Sequence, residues 1–332
     1  MPTLNSRHPT LADVTARLGQ DGKIIHNIVE ILSEKHDELE DMVVVEANGV
    51  TEHTTTVRGG LPDTAWRRLY KGIPNSKSTV VSVKDSMGEL GARALVDEKL
   101  LNLNNNSAQW LMSEEAPFIE SMGQKMADTL WYEDGNINPE RFMGFAPRFS
   151  NKSAENGRNI IDAGGEGADN ASIWLVVWGV DTVHCIYPKG SKAGLQKKDM
   201  GIVTVNDDEG NRYEAHESKY VWENGLCVRD WRYVVRIANI DVKKLDKTLK
   251  TGPNLPELMV DALELVPNLK GRPAFYMNRD LRRVLRAQIA ASANHTITQR
   301  EVGGKLVTHF GDGEGVPVRV TDSLLSTEAR VK

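Results

Sequence analysis

The sequence predicts a mixed α+β fold from three observations. Between residues 107 and 134, apolar side chains recur at steps of three and four, the spacing of one face of a helix; they are Phe118, Ile119, Met122, Met126 and Leu130. From residue 171 to 240 the pattern changes to short runs of aromatic and β-branched residues separated by turns, as in strands. After residue 254, helical and strand patterns are mixed.

The first 41 residues predict an extended polar segment and two short helices. Residues 1–10 are polar and contain two prolines, and helical patterns follow before Gly19 and after Asp21. Helices of this length are not stable alone, so we expect them to pack against another structural element.

Residues 42–85 predict a long two-stranded excursion. Residues 42–49, 52–60 and 78–85 are rich in Val and Thr, and the glycines and prolines between them place a tip near residues 66–75. Two strands of ~12 residues would reach roughly 40 Å, whereas a compact body of this size has a radius of gyration of ~19 Å. The excursion should therefore project from its own core. The alternative is an ordinary β-meander within the main sheet.

The long helix has two possible starts. Ser113 is a good N-cap that would place Pro117 one turn in, whereas a start at Ser107 would place Pro117 in the interior. Gly135 is placed to end the helix. Residues 92–103 predict a helix before it, and a short helix is expected from Asn138.

Turns divide the strand-rich region. They are predicted at residues 179–181, at residues 207–210, and at Asn224 and Gly225, where an Asn-Gly pair indicates a hairpin. Beyond them, the sequence predicts a helix over residues 255–267, a strand over 274–277, a helix capped by Asn278, and strands over 304–310 and 316–322.

Composition excludes several classes of protein. The chain has 332 residues, 40% hydrophobic and 26% charged, with a mean hydropathy of -0.41, as in ordinary soluble proteins. A net charge of -5 argues against holding nucleic acid by bulk electrostatics. The N-terminus lacks the apolar region of a signal peptide, and no run approaches the ~20 apolar residues of a membrane helix. Cys185 and Cys227 are expected to be buried, reduced thiols.

No catalytic, cofactor-binding or metal-binding residue is predicted. The sequence contains no G-x-G-x-x-G, no phosphate-binding G-x-x-x-x-G-K-[ST] and no G-x-S-x-G nucleophile motif. Its histidines show no H-x-x-x-H spacing. An α+β enzyme whose site is assembled from distant residues stays open as an alternative, because geometry rather than sequence order defines such a site.

The candidate functional residues are contacts between subunits. Trp66 lies at the predicted tip between strands, and an exposed Trp beside arginines is typical of an interface anchor. The tip region is basic and the long helix is acidic, so the two could attract each other across a subunit boundary; otherwise both are solvated faces. The residues concerned are Arg58, Trp66, Arg67, Arg68, Lys71, Glu114, Glu115, Glu120 and Asp128.

Several stretches, in order from about residue 50 to the end, resemble the major capsid proteins of tailed bacteriophages with the Hong Kong 97-like fold. They are TTVRGGLPDTAWRRLYKGIPNSKST, ERFMGFAPRFS, NIIDAGGEGADNASIWLVVWG, IYPKGSKAGL, GLCVRDWRYVVRIANI, AFYMNRDLRRVLRAQI and GVPVRVTDSLLSTEARV. None of them is a catalytic motif, and the resemblance rests on their number and order.

The resemblance implies a domain layout. It consists of an N-terminal arm with short helices (1–41), an extended hairpin called the E-loop (42–85), a peripheral domain with a spine helix (86–250, spine 107–134), an axial-domain core (251–315) and a C-terminal strand returning to the peripheral domain (316–332). The sequence lacks the cleavable heptad-rich domain that larger relatives carry before the arm.

The resemblance also implies a function. Many copies would form hexamers and pentamers of an icosahedral head that encloses double-stranded DNA without reading its sequence. Such a protein would be made in the bacterial cytoplasm and end in the virion, without enzymatic activity, cofactor or membrane partner. Decoration, scaffolding and portal proteins are the further partners implied. A nanocompartment shell of the encapsulin type, enclosing protein cargo, is the alternative within this fold.

Overall fold

The computed structural model describes residues 34–102, 107–207, 209–246, 252–291, 297–302, 305–310 and 315–332. The two short helices predicted in the first 33 residues lie outside these ranges. The chain divides into two compact units. The larger unit comprises His36–Gly88, Ala127–Ala193 and Asn224–Lys332, and the smaller one comprises Met1–Lys35, Glu89–Met126 and Gly194–Glu223.

Helices and strands alternate along the chain, which confirms the predicted α+β class. The helices are α1 (Asp37–Asp41), α2 (Glu98–Asn102), α3 (Ser107–Tyr132), α4 (Phe145–Arg148), α5 (Leu255–Leu265) and α6 (Arg279–Ala291). The strands are β1 (Val44–Glu46), β2 (Glu52–Gly60), β3 (Thr79–Asp97), β4 (Ile160–Asp162), β5 (Asn170–Trp178), β6 (Val183–Tyr187), β7 (Gln196–Asn206), β8 (Arg212–Val228), β9 (Val234–Asp241), β10 (Arg272–Met277), β11 (Ile297–Val302), β12 (Lys305–Phe310) and β13 (Val316–Val320). Among the described helices, none combines the length and the apolar character needed to span a bilayer.

The larger unit is built on a mixed sheet centred on β5. Its strands follow the order β11-β12-β13-β10-β5-β6, and β9 pairs antiparallel with β5 on the edge opposite β10. β1 adds to β6 in parallel, and β4 adds to β9 in parallel. Every residue of β5 is buried, because both faces of this strand are covered.

Alternate residues of β5 face two different cores, as the two-residue period of a strand requires. Ile173, Leu175 and Val177 belong to an apolar cluster shared with α5 and α6. Trp174 and Trp178 face a second, aromatic cluster completed by residues from α3, α4 and β10, namely Trp131, Phe145, Phe149 and Tyr276. Both tryptophans are completely buried.

The helices of the larger unit match their sequence signals closely. The predicted helix over residues 255–267 is α5, which carries Pro256 in its first turn and ends before Pro267. The N-cap predicted for α6 is confirmed, since Asn278 Oδ1 accepts from the Leu281 amide at 2.9 Å.

The predicted hairpin at Asn224 and Gly225 is wrong, because β8 continues through both residues to Val228. A Cβ on Gly225 would lie 2.7 Å from the Ser86 carbonyl oxygen and 2.9 Å from side-chain atoms of Ile186 and Met87. Glycine is therefore needed here for close packing of neighbouring strands and not for a turn. The turn predicted at residues 207–210 is confirmed; Gly210 adopts a φ of 87° and its amide bonds the Asp207 carbonyl.

Three other predicted elements differ from the structure. Residues 92–97 extend strand β3, and only the short helix α2 follows, so most of the helix predicted over 92–103 is absent. The short helix expected from Asn138 is instead α4, seven residues later. The predicted strand material at residues 42–49 does not join the excursion; it supplies β1, which pairs with β6.

In the smaller unit, β7 pairs antiparallel with β8 over most of its length. The helix α3 starts at Ser107, so Pro117 lies in its interior, and it ends at Tyr132 rather than at Gly135. Within this unit the Phe118 ring stacks on Tyr220 with centroids 6.4 Å apart.

A buried ion pair in the larger unit lies next to β5. Arg236 and Glu328 are each 5% exposed and join Nη2 to Oε2 at 2.9 Å. The remaining donors of Arg236 bond the Ser172 hydroxyl at 3.1 Å and the Phe149 carbonyl at 2.8 Å, and the guanidinium lies over the Trp174 ring. Tyr132 donates its hydroxyl to the other Glu328 oxygen at 2.5 Å. Burial and the Glu328 charge raise the Tyr132 pKa, so this hydroxyl stays a donor at neutral pH.

We expect Arg236→Met to lower the free energy of unfolding by about 3–5 kcal/mol, because the variant leaves the Glu328 charge buried without its cation. Urea denaturation of the unassembled subunit measures the loss. The double variant Arg236→Met/Glu328→Gln should recover a large part of it. Arg232→Met is the matched control, since Arg232 pairs with Asp230 at the surface and its loss should cost less than ~1 kcal/mol. Equal losses for Arg232→Met and Arg236→Met would contradict this account.

Candidate intersubunit surfaces

The predicted excursion is a regular antiparallel hairpin of β2 and β3. Its register runs from Glu52 opposite Ser86 to Gly60 opposite Thr79, with an irregularity between Arg58 and Gly60. The turn between the strands is long, and we define residues 61–77 as the hairpin tip.

All residues of the hairpin tip are exposed. Trp66 and Tyr70 are 101% exposed and Leu69 is 87% exposed, so their own subunit gives these side chains no cover. Further exposed apolar residues lie along the same hairpin: Leu61, Ile73, Val80 and Val81. Several large apolar side chains exposed on one element are typical of a binding surface.

Local hydrogen bonds shape the hairpin tip. The Lys71 amide bonds the Arg68 carbonyl at 3.1 Å, and Arg67 Nε donates to the Lys71 carbonyl at 3.3 Å. Ser76 donates its hydroxyl to the Asp63 carbonyl at 2.7 Å, which joins the two sides of the tip. The four predicted basic contact residues, Arg58, Arg67, Arg68 and Lys71, are all exposed beside the apolar set.

The base of the hairpin is fastened to the larger unit. Arg148 Nη2 bonds the buried Asp85 carboxylate at 2.8 Å and the Leu226 carbonyl at 3.0 Å. The Asn48 side chain exchanges two hydrogen bonds with the Thr54 backbone, at 2.7 and 2.9 Å. The hairpin therefore combines an anchored base with a tip that its subunit leaves uncovered.

The four acidic candidates on α3 lie in different environments. Asp128 is exposed, and Glu114 and Glu120 are partly exposed. Glu115 is 4% exposed and its carboxylate accepts hydrogen bonds from Ser218 and Lys197 within the smaller unit. Burial alone would raise the Glu115 pKa, but those hydrogen bonds lower it overall. The Glu115 charge is thus satisfied inside its own subunit, and it does not belong with the exposed acids.

An open cleft of about 610 Å³ lies in the larger unit between β10, β13 and the end of α5. Asp41 is the single carboxyl group among its lining residues in the described part of the chain. Burial raises the Asp41 pKa although Arg319, 2.6 Å away, opposes the shift. Among the described lining residues, Asp41 and Arg319 are thus the charged pair nearest to one another.

Three potential metal ligands meet near the hairpin base, which the sequence analysis missed. His53 on β2, His184 on β6 and Cys227 on β8 place one ligand-type atom each within 4.8 Å of the others. Burial lowers the pKa of both imidazoles. Burial and the Asp85 charge raise the pKa of the Cys227 thiol to about 12. No spacing motif could have revealed the group, because its members come from three separate strands.

Comparison with known proteins identifies the family. The family model of major capsid protein GP7 matches residues 19–332. The structure is similar to that of bacteriophage Epsilon15, with a TM-score of 0.79 and 28% sequence identity over 100% of this chain and 99% of that one. It is also similar to the bacteriophage JBD30 capsid, with a TM-score of 0.50 and 10% identity over 90% of this chain and 95% of that one. No curated protein sequence matches the chain significantly.

The family match covers most of the chain, and the mixed fold agrees with those of phage capsid subunits. The resemblance drawn from the ordered sequence segments is therefore confirmed. The chain belongs to the major capsid protein GP7 family, and it is a structural subunit of a tailed-phage capsid.

Proposed function

We propose that many copies of this chain, arranged as hexamers and pentamers, form the icosahedral head around a double-stranded DNA genome. The subunit would be made in the cytoplasm of the bacterial host and held in the virion by contacts with sister copies. A net charge of -5 suits a shell that encloses DNA without binding it through a basic surface. Decoration, scaffolding and portal proteins complete the proposed set of partners.

The observation that carries this proposal is the uncovered hairpin tip. Full burial of one large apolar side chain stabilises a contact by ~1.5–3 kcal/mol, and Trp66, Leu69 and Tyr70 all stay in water in the single subunit. A stable interface buries ~800 Å² on each partner. An arm that reaches across a boundary adds such area without enlarging the body of the subunit.

Charge supports a particular direction of docking. The hairpin tip presents Arg67 and Arg68 in water, and α3 presents Asp128, with Glu114 and Glu120 partly exposed. Opposite charges at the rim of an interface speed association and select the partner surface. We therefore propose that the tip of one subunit lies near α3 of its neighbour, with Glu115 excluded from the contact.

The domain layout proposed from the resemblance fits these roles. The arm (1–41) and the E-loop segment (42–85) would reach to neighbours, the peripheral domain (86–250) would carry the spine helix, and residues 251–315 and 316–332 would form the axial core and the returning strand. Within the E-loop segment, the pairing of β2 with β3 begins at Glu52.

Electron microscopy of the expressed full-length chain tests the proposal as a whole. We expect closed shells or ring-shaped hexamers and pentamers, because the exposed apolar tips should associate as the protein is concentrated. A subunit that stays monomeric at high concentration, with or without a co-expressed scaffolding protein, would contradict the proposal.

Trp66→Ala should block shell formation while leaving a folded subunit, because it removes an apolar anchor that makes no contact with its own core. Deletion of residues 64–75 should have the same effect. Trp66→Phe, which keeps an aromatic side chain, is the matched control and should assemble. Sedimentation measures assembly, and circular dichroism measures the fold. If the deletion variant formed normal shells, the hairpin tip would have no role in assembly.

The double variant Arg67→Glu/Arg68→Glu should slow assembly by about tenfold or more at low salt, since it turns attraction into repulsion. Adding Glu120→Lys/Asp128→Lys should restore the rate if the tip lies near α3. The control Lys189→Glu/Arg212→Glu makes the same change of charge at exposed positions outside the hairpin. Light scattering in low and high salt follows the rate. Similar rates for the Arg67/Arg68 variant and this control would show that both charged faces are only solvated.

A further inference from the structure

We propose that His53, His184, Cys227 and Asp85 form a binding site for one Zn²⁺ ion at the base of the hairpin. The site is independent of the proposed docking of the hairpin tip. All four residues belong to the larger unit.

The four side chains come from two cross-strand pairs. His53 lies directly opposite Asp85 in the β2–β3 ladder, and His184 lies directly opposite Cys227 in the β6–β8 ladder. The rings of His53 and His184 meet edge to face with centroids 5.9 Å apart, so the hairpin pair faces the sheet pair. The ligand-type atoms of His53, His184 and Cys227 thus converge from three strands, and Asp85 lies beside them on the fourth.

The spacing is close to that of a zinc centre. The ligand atoms of His53, His184 and Cys227 lie within 4.8 Å of one another. Around tetrahedral zinc, with Zn–N of ~2.0–2.1 Å and Zn–S of ~2.3 Å, the ligand atoms are roughly 3.3–3.8 Å apart. Side-chain rotations that move the ligand atoms by on the order of 1 Å would bring them to the spacing of a tetrahedral zinc site.

Two buried polar atoms at this place, His184 Nδ1 and Asp85 Oδ2, have no nitrogen or oxygen hydrogen-bond partner among the described residues, and the Cys227 thiol lies beside the Asp85 carboxylate. His184 is 2% exposed and Asp85 is 3% exposed, so bulk water does not reach them. Unpaired polar atoms are costly in a protein interior. A cation bound between them would satisfy both.

The surrounding hydrogen bonds orient these ligands. His184 Nδ1 has no hydrogen-bond partner among the described residues, so its lone pair is available to a metal ion. Arg148 Nη2 bonds Asp85 Oδ1 at 2.8 Å, which fixes the carboxylate and leaves Oδ2. His53 Nδ1 accepts a hydrogen bond from the backbone amide of the exposed Asn48 at 3.2 Å. On metal binding this bond would be lost, and water could then accept from the Asn48 amide instead.

The ligand set favours zinc. Two imidazole nitrogens, a sulfur and a carboxylate oxygen are the mixed N, S and O donors that zinc accepts in tetrahedral sites. On binding, the Cys227 thiol gives up its proton to solvent and its sulfur bonds the ion as thiolate, with no change of oxidation state. The bound ion would tie both hairpin strands to β6 and β8.

Metal binding by the full-length chain tests the site. After removal of metal with a chelator and dialysis against Zn²⁺, we expect about one zinc per folded chain by mass spectrometry of the metal content. Co²⁺ in place of zinc should give the absorption of thiolate bound to tetrahedral cobalt. Cys227→Ser should abolish this band. The matched control Cys185→Ser removes the other buried thiol, on the neighbouring strand, and should leave the band unchanged.

His53→Gln provides a second variant in case Cys227→Ser does not fold, because His53 is only partly buried. We expect its zinc affinity to fall by more than about 100-fold, beyond the loss expected when a mere supporting residue is removed. Folded wild-type chain that takes up no zinc would overturn the proposal. It would equally be overturned by a Cys227→Ser or His53→Gln variant that binds zinc as the wild type does.

Discussion

One ion pair fastens the base of the hairpin to the larger unit, between the buried Asp85 and the partly exposed Arg148. Asp85 sits where β3 leaves the body of the larger unit, and Arg148 ends the short helix α4. The same guanidinium group also bonds the Leu226 carbonyl of β8. Loss of Arg148 would leave the buried Asp85 charge without its cation, so the pair stabilises the strand against the sheet.

Because the base of the hairpin is anchored, the tip would lose little conformational freedom on docking. A flexible arm would lose conformational freedom when it docks, and this loss would offset the gain from burying its aromatic side chains. The tip of this chain already has internal hydrogen bonds, and its strands are paired up to Gly60. In the proposed docking, less ordering would then be needed for a sister subunit to cover Trp66 and Tyr70.

The features that sequence predicted well are those set by local chemistry. The apolar stripe of α5, the Asn278 cap of α6 and the exposed tip, with its prolines and glycines, follow from residues near one another in the chain. The failures arise from distant contacts. Asn224 and Gly225 have the local signal of a turn, but the approach of Ser86 decides their conformation. Glu115 lies in a helical sequence where a solvated charge is expected, yet it is buried and accepts a hydrogen bond from Ser218. The grouping of His53, His184 and Cys227 exists only once three strands are assembled.

The length of β3 has a mechanical consequence. Its nineteen residues run without interruption from the turn of the hairpin to Asp97, and eight of them pair with β2. A force applied at the tip along the hairpin would pull both strands in the same direction, so the covalent backbones would carry the tension and the cross-strand hydrogen bonds would not be peeled apart. Such a load would pass through the hairpin to the contacts that hold its base.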